Sequence, residues 1–149
     1  MTRLRNVVAE TGLGVLAGLA GTAAMTVSTM IEIRLRGRPA STKPAQATGK
    51  ILGVKPEGEK QEKRLNNLTH WAYGTSWGAV RGLFGCLGLP APAASAAHLA
   101  TVWGAEQVVF PALSLGPPIP KLGAKETAID LMHHLVYESA TSATYELLR

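Results

Sequence analysis

Charge is scarce in this sequence: Asp, Glu, Lys and Arg together make up 17% of its 149 residues, against about 25% in an average soluble protein. Aromatic residues are scarcer still, at 5%, which excludes a core built from bulky rings. What remains is rich in Gly, Ala, Leu, Thr and Ser, a mixture suited to closely packed helices. Cys86 is the only cysteine, so an internal disulfide is excluded and the redox compartment stays open. No segment alternates apolar and polar residues over a useful length, which argues against a sheet. Catalytic motifs are also missing. There is no nucleophile elbow, no phosphate-cradling glycine loop before a lysine and no metalloprotease helix. No catalytic residue is therefore expected, and the chain reads more readily as a non-enzyme.

Long apolar runs are present instead. Thr11 to Ile31 contains no charged residue; at 1.5 Å per residue it can cross a hydrocarbon core of roughly 30 Å. A first span over 11–33 is expected, ended by Arg34, Arg36, Arg38 and Pro39. Arg3 and Arg5 before this run imitate a signal peptide. The run is longer than a typical signal core and Glu10 sits near its start, so it is expected to be retained. Further spans are expected over 67–89, closed by Pro90 and Pro92, over 93–110, stopped at Pro111, and over 126–148. Pro117, Pro118 and Pro120 should hold an extended loop. Ser41, Thr42 and Pro44 look like a helix start and Gly53 like a stop, giving a short surface helix over Pro44–Leu52. Val54 to Arg64 should be solvated and helical towards its end. The expected fold is all-α: one transmembrane domain over 1–149, a compact four-helix bundle with a basic cytoplasmic connection over 34–66. A soluble helical bundle is the competing architecture. Against it, polar residues cluster on single helix faces while charges gather in the loops.

The net charge of +5 is unevenly distributed. Arg34, Arg36, Arg38, Lys43, Lys50, Lys55, Lys60, Lys63 and Arg64 fall in the first connection, opposed only by Glu57, Glu59 and Glu62. Such a run can bind nucleic acid, but directly after an apolar stretch it fits anionic lipid headgroups better, with Arg34, Arg36 and Arg38 as the contacts. No nucleic-acid partner is expected. Lys121 and Lys125 lie in the loop before the last span, on the same side as the first connection. Arg3, Arg5 and Arg149 lie opposite. By the positive-inside rule both basic loops should be cytoplasmic and both termini outside. The expected location is a membrane, crossed several times.

Two face patterns carry further information. Gly14, Gly18 and Gly21 recur at helical spacing in the first span, and Gly74, Gly78 and Gly82 in the second, which lets backbones approach closely in lipid. The ionisable residues also keep to single faces: His70, Tyr73, Trp77 and Arg81; His98 and Glu106; Asp130, His134, Glu138 and Tyr145. A charged side chain in mid-bilayer costs roughly 2.5–3.5 kcal/mol on insertion scales, so these groups should face inward and pair. Counting from the basic end gives three layers: His70 with Asp130, then Glu106 with His134, then Arg81 with Glu138 and His98 nearby. Arg81 and Glu138 are expected to form a direct ion pair. The candidate relay is His134, Glu106, His70 and Asp130. No cofactor and no metal are expected: His98 and His134 sit at different depths for haem, and His133 and His134 point apart for zinc. His133 should face lipid or a partner. Two functions follow. One is a proton or small-cation pathway through the His/Glu/Arg network. The other is a membrane scaffold or accessory subunit, gripping another membrane protein through its glycine faces; a homo-oligomer with ion flux would fit the pathway instead.

The run Ala17-Gly18-Leu19-Ala20-Gly21-Thr22-Ala23-Ala24-Met25 resembles the first helix of the YagU-like family of uncharacterised bacterial inner-membrane proteins. His70-Trp71-Ala72-Tyr73-Gly74-Thr75-Ser76-Trp77-Gly78 is similar to the start of the second. The likeness covers about half the chain and implies location, a bacterial inner membrane, and architecture more than activity, with any link to acid tolerance resting on the likeness alone.

Overall fold

The computed structural model describes residues 2–149, with side chains from residue 6 onward; the side chains of Arg3 and Arg5 thus lie outside the described residues. Six helices follow one another: α1 (Thr2–Arg36), α2 (Lys43–Leu52), α3 (Glu59–Cys86), α4 (Ala91–Ala112), α5 (Ile119–Leu122) and α6 (Ala124–Leu148). There is no strand among the described residues. The four long helices form a bundle. α1 packs along α3 and α6, and α4 closes the other side against α6 and α3.

Glycine decides the tightest of these interfaces. A methyl group at Gly18 would lie 2.6 Å from Thr75 O, one at Gly78 2.7 Å from Gly18 Cα, and one at Gly82 2.9 Å from Thr11 Cα. Gly14 meets Gly78 and Gly82, Gly74 meets Thr22, and Gly21 meets Thr141 and Tyr137 across to α6. All six of these glycines therefore serve contacts inside the bundle, and α1 runs antiparallel to both neighbours. Gly85, not singled out from the sequence, abuts the Tyr145 ring.

Local signals explain most helix ends. α2 has Pro44 in its first turn and stops at Gly53, whose φ of 68° suits a residue without Cβ. α1 extends to Arg36 and gives way to Gly37 at φ 61°. α3 starts well before the expected span, at Glu59. Its solvated first turns are held by an i,i+4 pair in which the Lys63 ammonium, 2.6 Å away, holds the Glu59 carboxyl below its ordinary range. The expected extended stretch around Pro117–Pro120 contains the single turn α5, where Lys121 N–H bonds Pro118 O at 2.8 Å. α4 tolerates Pro111 because it falls in the last turn.

The packing is inverted relative to a soluble bundle. The largest fully buried side chains are Arg81, Tyr145, His98, Thr22 and Thr141, while Leu16, Leu19, Val27, Leu68, Leu135 and Leu147 are exposed. No exposed residue over 67–83, 93–108 or 128–143 is charged. Asn6–Arg36 is long and apolar enough to cross a membrane, and only 28% of its most apolar window is buried. Among the described residues it is the one helix that meets this standard. α3, α4 and α6 fall short because inward-facing ionisable and hydroxyl groups lower an average taken around the whole helix.

Candidate functional site

Both basic connections lie at one end of the bundle, where α2 is laid across α3. Asn66 Oδ1 accepts from Ala45 N–H at 3.1 Å, the Thr48 and Thr69 hydroxyls meet at 2.8 Å, and the Lys50 ammonium donates to Leu113 O. Beneath α2 is a cavity of about 270 Å³. Met25, Ile51, Val102, Val109 and Phe110 make its walls apolar; His70, Glu106 and His134 supply its polar groups.

The polar groups come from three helices. Glu106 on α4 faces α6, and His134 Nε2 lies 2.8 Å from its Oε2. His134 Nδ1 donates to Asp130 O at 2.9 Å, one turn back on α6, which fixes the ring. The contact to Glu106 is close but poorly aligned, leaving Oε2 buried without a directed hydrogen bond. On α3, His70 Nε2 meets the Thr26 hydroxyl at 3.0 Å. Thr26 spends its own proton on Thr22 O at 2.7 Å, so His70 is the donor. Asp130 does not pair with His70 as layer counting suggested. Its Oδ2 accepts from Trp103 Nε1 at 2.8 Å and Gln107 Nε2 at 3.1 Å, because α6 turns that residue towards α4. The Trp77 indole N–H, also at the cavity, is buried without a partner.

A second cluster lies nearer the termini. His98 is fully buried, with Nδ1 on the Glu138 carboxylate and Nε2 3.0 Å from Trp77 O. Glu138 also accepts from Ser142, whose hydroxyl in turn accepts from Ser95 at 2.7 Å and from Arg81 Nε at 2.8 Å. The expected direct pair between Arg81 and Glu138 is replaced by this bridge. Arg81 is five residues from the end of α3, and its long side chain reaches towards that end, where it pairs with Glu146 at 2.6 Å. Its guanidinium stacks 4.4 Å from the centre of the Tyr145 ring, and Tyr145 donates to Glu10. Ser95, Ser142 and Glu146 were not foreseen; Glu146, two turns beyond Glu138 on the same α6 face, was the available signal. Tyr137 separates the two clusters, donating to Gly74 O at 2.7 Å and leaning on the His98 ring at 5.9 Å between centroids.

The remaining expected sites are placed differently. His133 is buried against α1, with Nδ1 2.8 Å from Ser28 Oγ. α6 lies between α1 and α4, so adjacent histidines on its two sides are both covered. Arg36 bonds Glu32 at 2.8 Å and Glu126 at 3.0 Å, and Arg38 clasps Glu32 as well. Two of the three arginines read as headgroup contacts are thus engaged within the chain, and Arg34 alone is exposed without an ion pair among the described residues. Glu106, Asp130 and His134 each offer a ligand atom within 4.8 Å of the others, a set able to hold a metal ion. In comparisons with known proteins, no family model, no curated protein and no solved structure matches the chain.

Proposed function

We infer that the chain is a multi-pass protein of a bacterial inner membrane, with α1, α3, α4 and α6 as spans, and that its polar interior carries protons. The membrane reading rests on the inverted packing. Each bundle helix presents about 16 or more residues, ~25 Å of helix, with no charge on the exposed side, while Arg81, His98 and Glu138 are enclosed. In water that arrangement would waste the hydrophobic effect on both faces; in lipid it satisfies them. The YagU-like resemblance suits the same architecture. Both basic connections share one end, which the positive-inside rule makes cytoplasmic.

The observation that carries the proton reading is the 2.8 Å contact of His134 Nε2 with Glu106 Oε2 at a cavity beneath α2. An imidazole and a carboxylate at that distance can exchange a proton in place. The cavity brings solvent to them from the basic end, with His70 at its side. Beyond Tyr137, His98, Glu138 and Ser142 are joined by exchangeable hydrogen bonds, and Arg81, which keeps its own protons, pairs with Glu146 at their far end. The scaffold reading loses its surface, since the glycines it relies on are covered by α3 and α6. Proton flux into proteoliposomes between pH 5 and 8, the range in which histidine changes charge, tests the proposal. Flux that His134→Ala and Glu106→Gln reduce at least tenfold supports it; no flux from wild-type protein, or flux indifferent to both changes, removes it.

A further inference from the structure

We propose that Glu106, Asp130 and His134 bind one divalent first-row transition ion of the Zn²⁺ class, which would occupy the atoms of the proposed proton relay but is tested without it. The imidazole is set for ligation: Nδ1 is committed to Asp130 O, so in the neutral ring Nε2 carries the lone pair, and it lies 2.8 Å from Glu106 Oε2. Metal-bound histidines are oriented by this kind of second hydrogen bond. Asp130 is oriented too. Trp103 and Gln107 hold its Oδ2, leaving Oδ1 without a hydrogen bond among the described residues and next to the His134 ring, from which it must turn to meet Nε2. Glu106 Oε2 is buried and lacks a directed partner. Zinc bonds of 2.0–2.2 Å imply ligand separations of ~3.4 Å in a tetrahedron. One ligand atom from each residue lies within 4.8 Å of the others, so side-chain rotations can close the site.

Charge points the same way. The one basic side chain beside either carboxylate is His134; no Lys or Arg pairs with Glu106 or Asp130 among the described residues. Two carboxylates with a neutral imidazole carry −2, and protonating the ring still leaves −1. A divalent ion with a neutral imidazole brings the cluster to zero, which a low-dielectric interior favours. Two carboxylate oxygens and one imidazole, with no thiolate, select a borderline ion over a soft one, and the nitrogen disfavours Ca²⁺ and Mg²⁺. Three protein ligands leave a fourth position, which the adjoining cavity can fill with water.

The test uses the full chain in mild detergent, titrated with Co²⁺ as a coloured substitute and then with Zn²⁺ in competition. One Co²⁺ per chain is expected, with visible absorption that Zn²⁺ abolishes. Glu106→Gln, Asp130→Asn and His134→Ala should each weaken binding by more than ~100-fold, beyond the ~10–100-fold typical of outer-shell changes. Trp103→Phe, which removes only a donor that orients Asp130, should weaken it by ~10-fold. His133→Ala should leave it unchanged. Helical content and a monodisperse elution profile establish that each variant is folded. The near-isosteric Gln and Asn changes keep the test decisive should His134→Ala misfold. Absence of Co²⁺ binding, binding that survives the Gln and Asn changes, or equal loss in His133→Ala overturns the site. Because metal uptake is read without any flux, a Co²⁺-binding protein that conducts no protons removes the pathway and keeps the metal site.

Discussion

Arg81 and Glu138 meet through a hydroxyl. Ser142 Oγ accepts from Arg81 Nε at 2.8 Å and from Ser95 at 2.7 Å, and donates its proton to the Glu138 carboxylate. A serine hydroxyl has one donor and two acceptor positions, so all are used. The arrangement lets an arginine on α3 and a glutamate on α6 share an interior without touching, while His98 hydrogen-bonds Glu138 from α4 and Glu146 pairs with Arg81 from the bundle end.

Ser142→Ala should therefore cost more than an ordinary buried hydroxyl. It leaves three polar groups short of a partner, two of them charged, and each unsatisfied group costs about 1–3 kcal/mol. We expect a loss of about 3 kcal/mol in detergent unfolding. A double-mutant cycle should give strong coupling between His98 and Glu138, and between Arg81 and Glu146. The Arg81–Glu138 coupling should be weaker and should vanish in the Ser142→Ala background. Undiminished coupling there would show that the two charges interact directly.

The α1–α3 seam makes a second prediction. Gly78→Ala places a methyl 2.7 Å from Gly18 Cα and N, which are backbone and cannot rotate away. The helices must separate, at a cost of about 1–3 kcal/mol or more. Gly104→Ala on α4 meets nothing within 4 Å and should be neutral or stabilising by a few tenths up to about 1 kcal/mol through helix propensity. Thermal unfolding of the two variants side by side checks the contrast.

Particular residues show what the sequence could and could not reveal. Gly53 marked the end of α2 because few other residues adopt its φ of 68°. Counting depth along antiparallel helices put Glu106 opposite His134, and the two lie 2.8 Å apart. The same counting mispaired Arg81, because it locates a Cα and not the tip of a side chain that extends more than a helical turn. It mispaired Asp130 because depth says nothing of azimuth, and α6 turns that carboxylate towards Trp103 and Gln107. The helix expected towards the end of Val54–Arg64 is the start of α3 at Glu59; that it runs unbroken into the span escaped hydropathy, since pairs such as Glu59–Lys63 leave no apolar trace.

Orientation can be read with thiols. In a Cys86→Ser background, Lys60→Cys sits on exposed α3 at the basic end and Leu87→Cys on the exposed turn at the opposite end. With both basic connections cytoplasmic, a membrane-impermeant maleimide added to intact cells should label Leu87→Cys and spare Lys60→Cys until the membrane is opened. The reverse pattern inverts the topology, and labelling of both before opening would break the four-span arrangement.

The last prediction concerns what the interior excludes. Arg81 is 1% exposed, and in the proposed pathway every ion moving between the His98 cluster and the termini must pass its guanidinium. A second positive charge about 4 Å away is repelled by about 4 kcal/mol at an effective dielectric constant of 20, roughly a thousandfold in rate. A proton avoids much of this repulsion because the Glu138 carboxylate takes it up as a neutral acid; Na⁺ or K⁺ cannot be neutralised in this way. Arg81→Gln keeps a hydrogen-bond donor for Ser142 and removes the charge. Wild-type proteoliposomes should pass protons and exclude K⁺, whereas Arg81→Gln should admit K⁺ while retaining proton flux. His98→Leu should do the opposite, stopping protons without admitting K⁺, because it breaks the hydrogen-bonded chain and leaves the arginine in place. Equal K⁺ exclusion by wild type and Arg81→Gln would show that Arg81 is a structural charge held by Ser142 and Glu146, outside any path.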